Sequence, residues 1–360
     1  PVRPIFAAIC LFLVSPALAV ADDPYTILGV SIDATGSNAL DAQTIAMRRG
    51  QAMAAQRLIE RMTLPEDRAG TPLDFGSAGA IDSIFDASAI AELISGLQID
   101  NEQRSATRYL GELDVNFDRR AVVRLLTSYG VPFVESQARP TLVLPVYDAG
   151  GQFYLWDSNP WLSAWTSRSY AHALAPMIVP GDSAARSILS ARDALALDEA
   201  GLREMAALYG VSRIAVLRGQ ERDGVRRMGG FLVSFDAGAE MAVETWGPET
   251  VYGSWRDGAM SFVVGRENAW KREAIVRNTS TEEMRITVIY GGLTEWQSLQ
   301  AAVTGASLVS NARLDAISRD GALMTVSHRG ALEQLMSELA ERGAALEEHP
   351  GLGWVVRSAF

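Results

Sequence analysis

The sequence predicts a multidomain protein of the mixed α+β and α/β class, built as three successive units. Three observations predict it. A chain of 360 residues exceeds the roughly 250 to 300 residues that one compact core serves. At Thr141 a nearly continuous apolar run, Thr141-Leu-Val-Leu-Pro-Val146, opens a segment holding the chain's first tryptophans, Trp156, Trp161 and Trp165, and such a run marks a strand covered on both faces. From residue 281 onward, hydrophobic periods of two and of three to four alternate in the order β-α-β-β-α-β.

Residues 1–21 read as a secretory signal peptide. Arg3 precedes an apolar run from Ile5 to Val14, and Ala17-Leu-Ala19 and Ala19-Val-Ala21 offer small residues for cleavage. The run is shorter than the roughly 20 apolar residues of a spanning helix, and no later segment reaches that length. The expected mature protein is therefore periplasmic, with no transmembrane anchor after cleavage. Cys10, the single cysteine, lies inside the run and lacks the small residues that precede a lipidated cysteine. Its removal leaves a cysteine-free mature chain, which excludes thiol catalysis, disulfides and thiolate metal sites.

The first folded unit, residues 22–138, is expected to be α+β. Its opening strand places Ile27, Gly29 and Ser31 on one face and Leu28, Val30 and Ile32 on the other. Gly36-Ser37-Asn38 supplies a turn and a helix cap. Ile45, Ala52, Ala55, Ile59 and Met62 recur at helical steps, with Arg57, Glu60 and Arg61 turned outward. So many inner alanines predict a close approach to whatever the helix covers. Residues 105–117 alternate as a strand, residues 122–129 form a helix stopped by Gly130, and residues 131–134 close a strand-helix-strand-helix-strand order.

The second unit, residues 139–280, is expected to be an α/β sheet domain. After the apolar strand, Asn159 caps a helix with Pro160 at its first position, carrying Trp161, Leu162 and Trp165. Residues 177–179 and 212–217 give further buried strands. Leu202, Met205, Ala206 and Tyr209 mark a helix ended by Gly210. Residues 231–235 and 250–255 read as antiparallel strands, and residues 259–276 as a helix. In the third unit, residues 281–360, a strand over 284–290 is followed by a helix marked by Leu293, Trp296, Leu299 and Val303. A hairpin turns around Arg319-Asp-Gly321, a helix carries Leu332, Leu335, Met336 and Leu339, and Trp354 opens the last strand. This is the ferredoxin-like βαββαβ order.

Together, the secretory start, Tyr25-Thr-Ile with its Ala- and Arg-rich helix, Leu-Pro-Val146 with Asn-Pro-Trp161, and Leu314-Asp-Ala-Ile-Ser-Arg-Asp-Gly-Ala322 resemble the domain of unknown function 2066 family of exported proteobacterial proteins. The resemblance covers nearly the whole mature chain, implies an exported protein and supplies no site residues. The central unit is more distantly similar in layout to the amino-terminal domain of the Tol translocation protein, and fold of this kind does not fix function.

The formal charge of -11 and pI near 4.9 leave no general cationic field for a nucleic acid. No Gly-x-Ser-x-Gly turn is present, and His172, His328 and His349 are scattered without metal-ligand spacing. His172 is expected at the end of the tryptophan helix. Gly150-Gly151, Gly229-Gly230 and Gly291-Gly292 lack a phosphate-loop spacing and read as tight turns. No catalytic residue, metal or cofactor is therefore expected. The one candidate surface is Phe153, Tyr154, Trp156, Asp157, Asn159 and Trp161. Core packing accounts for Trp161 and Trp165, whereas exposed Phe153, Tyr154 and Trp156 would form a contact surface at the carboxyl end of the strand, where open α/β sheets bind ligands. The expectation is a non-enzymatic binding or assembly module of the cell envelope with an envelope protein as partner. The alternatives are an envelope hydrolase using acidic residues and a small-ligand binder at the end of the central sheet.

Overall fold

The computed structural model describes residues 24–75, 85–181, 183–235, 241–275 and 281–359. The expected signal peptide and Cys10 lie outside the described residues. The fold is mixed α+β, with three sheets and eleven helices among the described residues. No helix among them is long and apolar enough to cross a membrane.

The first sheet has the order β1-β3-β2, formed by Thr26–Thr35 (β1), Ile94–Arg104 (β2) and Arg108–Phe117 (β3), all antiparallel. The expected face assignment of β1 needs correction. The register shifts between Ile27 and Val30, with Gly29 at φ +64°, and this bulge brings Ile27 into phase with Val30 and Ile32. All three are buried, and Leu28 is only half-buried. Asn38 caps Ala39–Met62 (α1), accepting from the N–H groups of Leu40 and Asp41 at 3.0 Å. Close approach is realised at Gly50, where a Cβ would stand 2.4 Å from Ile32 Cγ2. Arg61 does not face water as expected: its guanidinium donates to the carbonyls of Pro24 and Thr26 and lies 3.8 Å from Glu267.

Two short helices, Pro65–Arg68 (α2) and Ala87–Ala91 (α3), precede β2, and Arg119–Ser128 (α4) follows β3. The expected closing strand at 131–134 is absent. Those residues are extended, with Val134 N donating to Met62 O at 2.9 Å, and β2 supplies the third strand instead. Its sequence ISGLQIDNEQR is polar and largely exposed, so it carries no hydrophobic alternation.

The central sheet comprises Thr141–Asp148 (β4), Phe153–Tyr154 (β5), Met177–Ile178 (β6), Arg213–Arg222 (β7), Val225–Ser234 (β8) and Ala242–Val251 (β9), in the order β5-β4-β7-β8-β9 with β6 also on β4. β4 is parallel to β6 and β7, and the remaining pairs are antiparallel. One face is covered by Pro160–Thr166 (α5) and Trp255–Ala274 (α9), whose Trp161, Trp165, Trp255 and Phe262 meet Val143, Ala215 and Leu217. The other is covered by Ser183–Ile188 (α6), Ala191–Leu195 (α7) and Glu199–Tyr209 (α8), against Leu142, Leu144, Val146, Ile214 and Val216. Residues 250–255 are not one strand: β9 stops at Val251, and Ser254 caps α9 through a capping box with Asp257. Gly229-Gly230 is likewise not a turn but lies inside β8, where a Cβ on Gly230 would meet Val216 O at 1.9 Å.

The third sheet has the order β11-β12-β10-β14-β13, from Thr281–Ile289 (β10), Val309–Ile317 (β11), Gly321–Arg329 (β12), Ala344–His349 (β13) and Gly353–Ser358 (β14), with Leu293–Gly305 (α10) and Leu332–Glu341 (α11) packed on it. The expected order contained one strand after α11. The structure has two, joined as a hairpin, so the last strand returns parallel to β10. β13 went unseen because only Ala344 and Leu346 of its six residues are buried.

The three sheets are tied together through α9. Trp270 packs with Leu64, Val134, Ala138, Leu174 and Ile275, and donates to Ser136 O at 2.7 Å. Lys271 reaches the carbonyls of Glu60 and Thr63 at 2.9 and 3.0 Å, and buried Glu267 accepts from Leu174 N at 2.8 Å. Glu341 of α11 accepts from Arg139 N at 2.6 Å and pairs with Arg213.

Candidate ligand pocket at the end of the central sheet

The parallel strands β4 and β7 end side by side, with Asp148 opposite Gln220. β8 then pairs Val216 with Phe231, Arg218 with Gly229, and Gln220 with Arg227. Opposed residues share a face, and the two-residue period of a strand puts Arg218 and Gln220 on the side of Val216, the side that α7 and α8 cover. Gly229 brings no side chain to stand opposite Arg218, so the sheet surface stays open there.

A pocket of about 650 Å³ lies at this point. Phe153, Leu195 and Phe231 give it apolar walls, and all three also pack against the core beneath α7 and α8. Arg192 of α7, Arg218 and Gln220 of β7, Arg227 of β8 and Thr245 of β9 supply its polar groups, and among the described residues no Asp, Glu or His lines it.

Arg218 is held in place. Its Nε donates to Asp148 Oδ2 at 3.1 Å, its Nη2 bonds the same oxygen, and its guanidinium lies 5.7 Å from the Phe153 ring centroid. Asp148 is 2% exposed and also accepts from Gly151 N at 2.7 Å. Burial alone would lift this carboxyl, but the Gly151 N–H and the Arg218 guanidinium outweigh it and hold it below the usual carboxylate range. Asp148 is thus an anion at neutral pH and offsets Arg218. Arg192 and Arg227 are exposed and have no ion-pair partner among the described residues.

Of the six residues singled out in the sequence, only Phe153 lines this pocket. Tyr154 is half-buried, opposite Tyr147 in β4, and its hydroxyl donates to Gln152 Oε1 at 2.8 Å. Trp156 is also half-buried, packed beside α6 with Nε1 donating to Leu189 O at 2.7 Å. Asp157 is exposed, and its carbonyl accepts from Asn159 Nδ2 at 2.9 Å. Asn159 caps α5 by accepting from Leu162 N at 2.8 Å. Trp161 is fully buried on the opposite face of the sheet, its Nε1 donating to Leu217 O at 3.0 Å. The residues are therefore distributed over both faces, and no exposed aromatic loop is formed.

The pocket residues Arg192, Arg218 and Gln220 went unread, and Arg227 reads in sequence, with Arg226, as part of a solvated face. One signal was available: Arg218 directly follows the apolar run Ile214-Ala-Val-Leu217 in phase with Val216, an unusual place for a solvated arginine.

The histidines stand on separate elements: His172 beyond α5, which stops at Thr166, His328 buried in β12, and His349 ending β13. No group of three His, Cys, Asp or Glu among the described residues could hold a metal ion. Comparison with protein-family models, curated proteins and solved structures finds no match to the chain.

Proposed function

We propose that the chain is a non-enzymatic binding or assembly module of the bacterial cell envelope, acting in the periplasm, whose central unit holds a small ligand in the pocket beside β7. In this reading the first unit is α+β, the central unit has the layout of the amino-terminal domain of the Tol translocation protein, and the last is a ferredoxin-like variant with an added strand. The observation that carries it is the pocket itself. Its volume of about 650 Å³ lies within the roughly 300 to 1,000 Å³ of small-molecule sites. It sits where the carboxyl ends of neighbouring parallel strands meet, the usual place for ligands on open α/β sheets. Its lining supports binding over hydrolysis, because an acid-base mechanism needs converging carboxylates or imidazoles and the lining carries arginine, glutamine and threonine instead.

The test is recovery of the protein from an envelope extract, followed by native mass spectrometry, beside the variant Ala196→Trp. Ala196 is exposed at the pocket rim, so an indole there fills the hollow without entering the core. A retained small molecule that the variant loses is the expected result. The same bound mass on both proteins, or none on either, overturns the reading.

A further inference from the structure

The geometry points to an organic anion as the occupant of this pocket: a carboxylate or phosphate ester with an apolar body, its charged end between Arg192 and Arg227 and its body against Phe153, Leu195 and Phe231. The inference depends on the pocket being a ligand site, as proposed above, and adds the chemistry of what enters it.

The argument begins with charge. The chain carries a formal -11, yet this hollow is lined by three arginines and, among the described residues, no acid. Asp148 cancels one of them from behind, and two remain without partners among the described residues. They come from different elements, α7 and β8, so they converge through the fold and are not neighbours on one solvated helix face. A guanidinium offers paired N–H donors in a planar fork that matches carboxylate and phosphate oxygens. Gln220, directly across from Arg227, has its amide oxygen on the Arg222 guanidinium, which leaves its NH2 group as a further donor beside that fork. A neutral occupant would draw nothing from either charge, and a cationic one would be repelled.

Arg218 has a different part. Fixed to Asp148 and lying over Phe153, it stiffens the apolar wall and restrains the ring along which the ligand body would lie.

The test uses 8-anilinonaphthalene-1-sulfonate, an aromatic anion whose fluorescence rises on binding, with the full mature chain. Phenyl phosphate, phenylacetate and neutral 2-phenylethanol serve as competitors. The expected result has four parts. Ala196→Trp abolishes binding of the dye. Arg192→Gln and Arg227→Gln each weaken it about tenfold or more, the loss of one charge-assisted hydrogen bond. Arg319→Gln, in the hairpin of the third sheet and almost fully exposed, leaves it unchanged. The two anions displace the dye while 2-phenylethanol does not, and added sodium chloride weakens binding. Stronger displacement by phenyl phosphate identifies a phosphate ester, and stronger displacement by phenylacetate a carboxylate.

If Ala196→Trp abolishes binding but both arginine variants bind as the parent does and 2-phenylethanol competes equally, the pocket binds a ligand whose charge it does not read, and the present inference fails alone. Dye binding untouched by Ala196→Trp removes the pocket reading itself.

Discussion

Replacing Trp161 by Ala and Phe153 by Ala probes two residues that lie eight positions apart in sequence and on opposite faces of the central sheet. Trp161 is fully buried, with its ring 5.6 Å from Trp165 and 5.2 Å from Trp255, and its Nε1 bonded to Leu217 O. Truncating a core tryptophan costs about 3 to 5 kcal/mol, and the lost hydrogen bond adds about 1 kcal/mol. Phe153 is half-buried at the pocket wall, so about half of a full burial term is lost, roughly 1 kcal/mol. With a urea m-value of about 2 kcal/mol/M, the unfolding midpoint falls by about 2 to 3 M for Trp161→Ala and about 0.5 M for Phe153→Ala. Far-UV circular dichroism is the appropriate readout, because removing an indole changes the fluorescence baseline. A reciprocal variant sharpens the test. A Cβ on Gly219 would stand 2.9 Å from Trp161 Cγ, so Gly219→Ala alone overpacks the site at about 1 to 3 kcal/mol. In the Trp161→Ala background that cost disappears, because the methyl enters vacated space, and the two changes are not additive. Equal midpoint shifts for Trp161→Ala and Phe153→Ala, or additive behaviour of the Gly219 pair, would refute the assignment of Trp161 to the core.

Two further outcomes are expected at the junctions between sheets. Burial depresses Lys271 from 10.5 to about 8, with Glu267 partly opposing the shift, so between those values the unfolded chain binds more protons than the folded one and stability rises with pH. The stabilising term is complete above about pH 10.5 and is lost as pH falls through about 8; at about 1.4 kcal/mol per pKa unit it amounts to about 3.5 kcal/mol. The neutral amine keeps two N–H donors for Glu60 O and Thr63 O. Urea midpoints at pH 7.5 and 10 (test conditions set at about the ends of this window) should therefore diverge between the parent and Lys271→Met, the parent gaining relative to the variant at the higher pH; a constant difference would contradict the burial of the charge. Glu341→Ala removes the acceptor shared by Arg139 and Arg213. It should cost about 2 kcal/mol, below the roughly 3 to 5 kcal/mol of a fully buried pair because Arg213 is a third exposed. Hydrogen exchange should quicken at Arg139 and in α11 while α1 is unaffected; uniform quickening would show that the contact is not local.

Elements that bury one clean stripe were legible in the sequence. β4 reads as a double-faced strand and is buried from Leu142 to Val146. Asn38 and Asn159 cap the helices their positions announce, because a cap depends on local backbone alone. What failed was non-local. β2 and β13 are polar edge strands whose pairing is decided by the neighbour they find, and the bulge at Gly29 reverses the phase of a strand that looked regular. Residues 250–255 divide at the Ser254 cap, because Ser254-Trp-Arg-Asp257 forms a capping box that starts a helix.

The site failed to read for a related reason. Aromatic density drew the sequence argument to residues 153–161, and tryptophan is a large apolar group before it is a ligand contact, so most of that density went into the two faces of the sheet. The pocket is made by an absence and an excess that only pairing brings together: Gly229 opposite Arg218, and Arg227 opposite Gln220. Gly230 is tied to that arrangement, since its close approach to Val216 O admits no side chain and fixes how β8 lies against β7. The glycine pair therefore holds the register that places Arg227 beside the hollow. Gly230→Ala should shift the strand and remove the cationic end of the pocket together, which makes pocket and fold inseparable at this one position, whereas Arg192→Gln and Arg227→Gln alter the charge and leave the sheet intact.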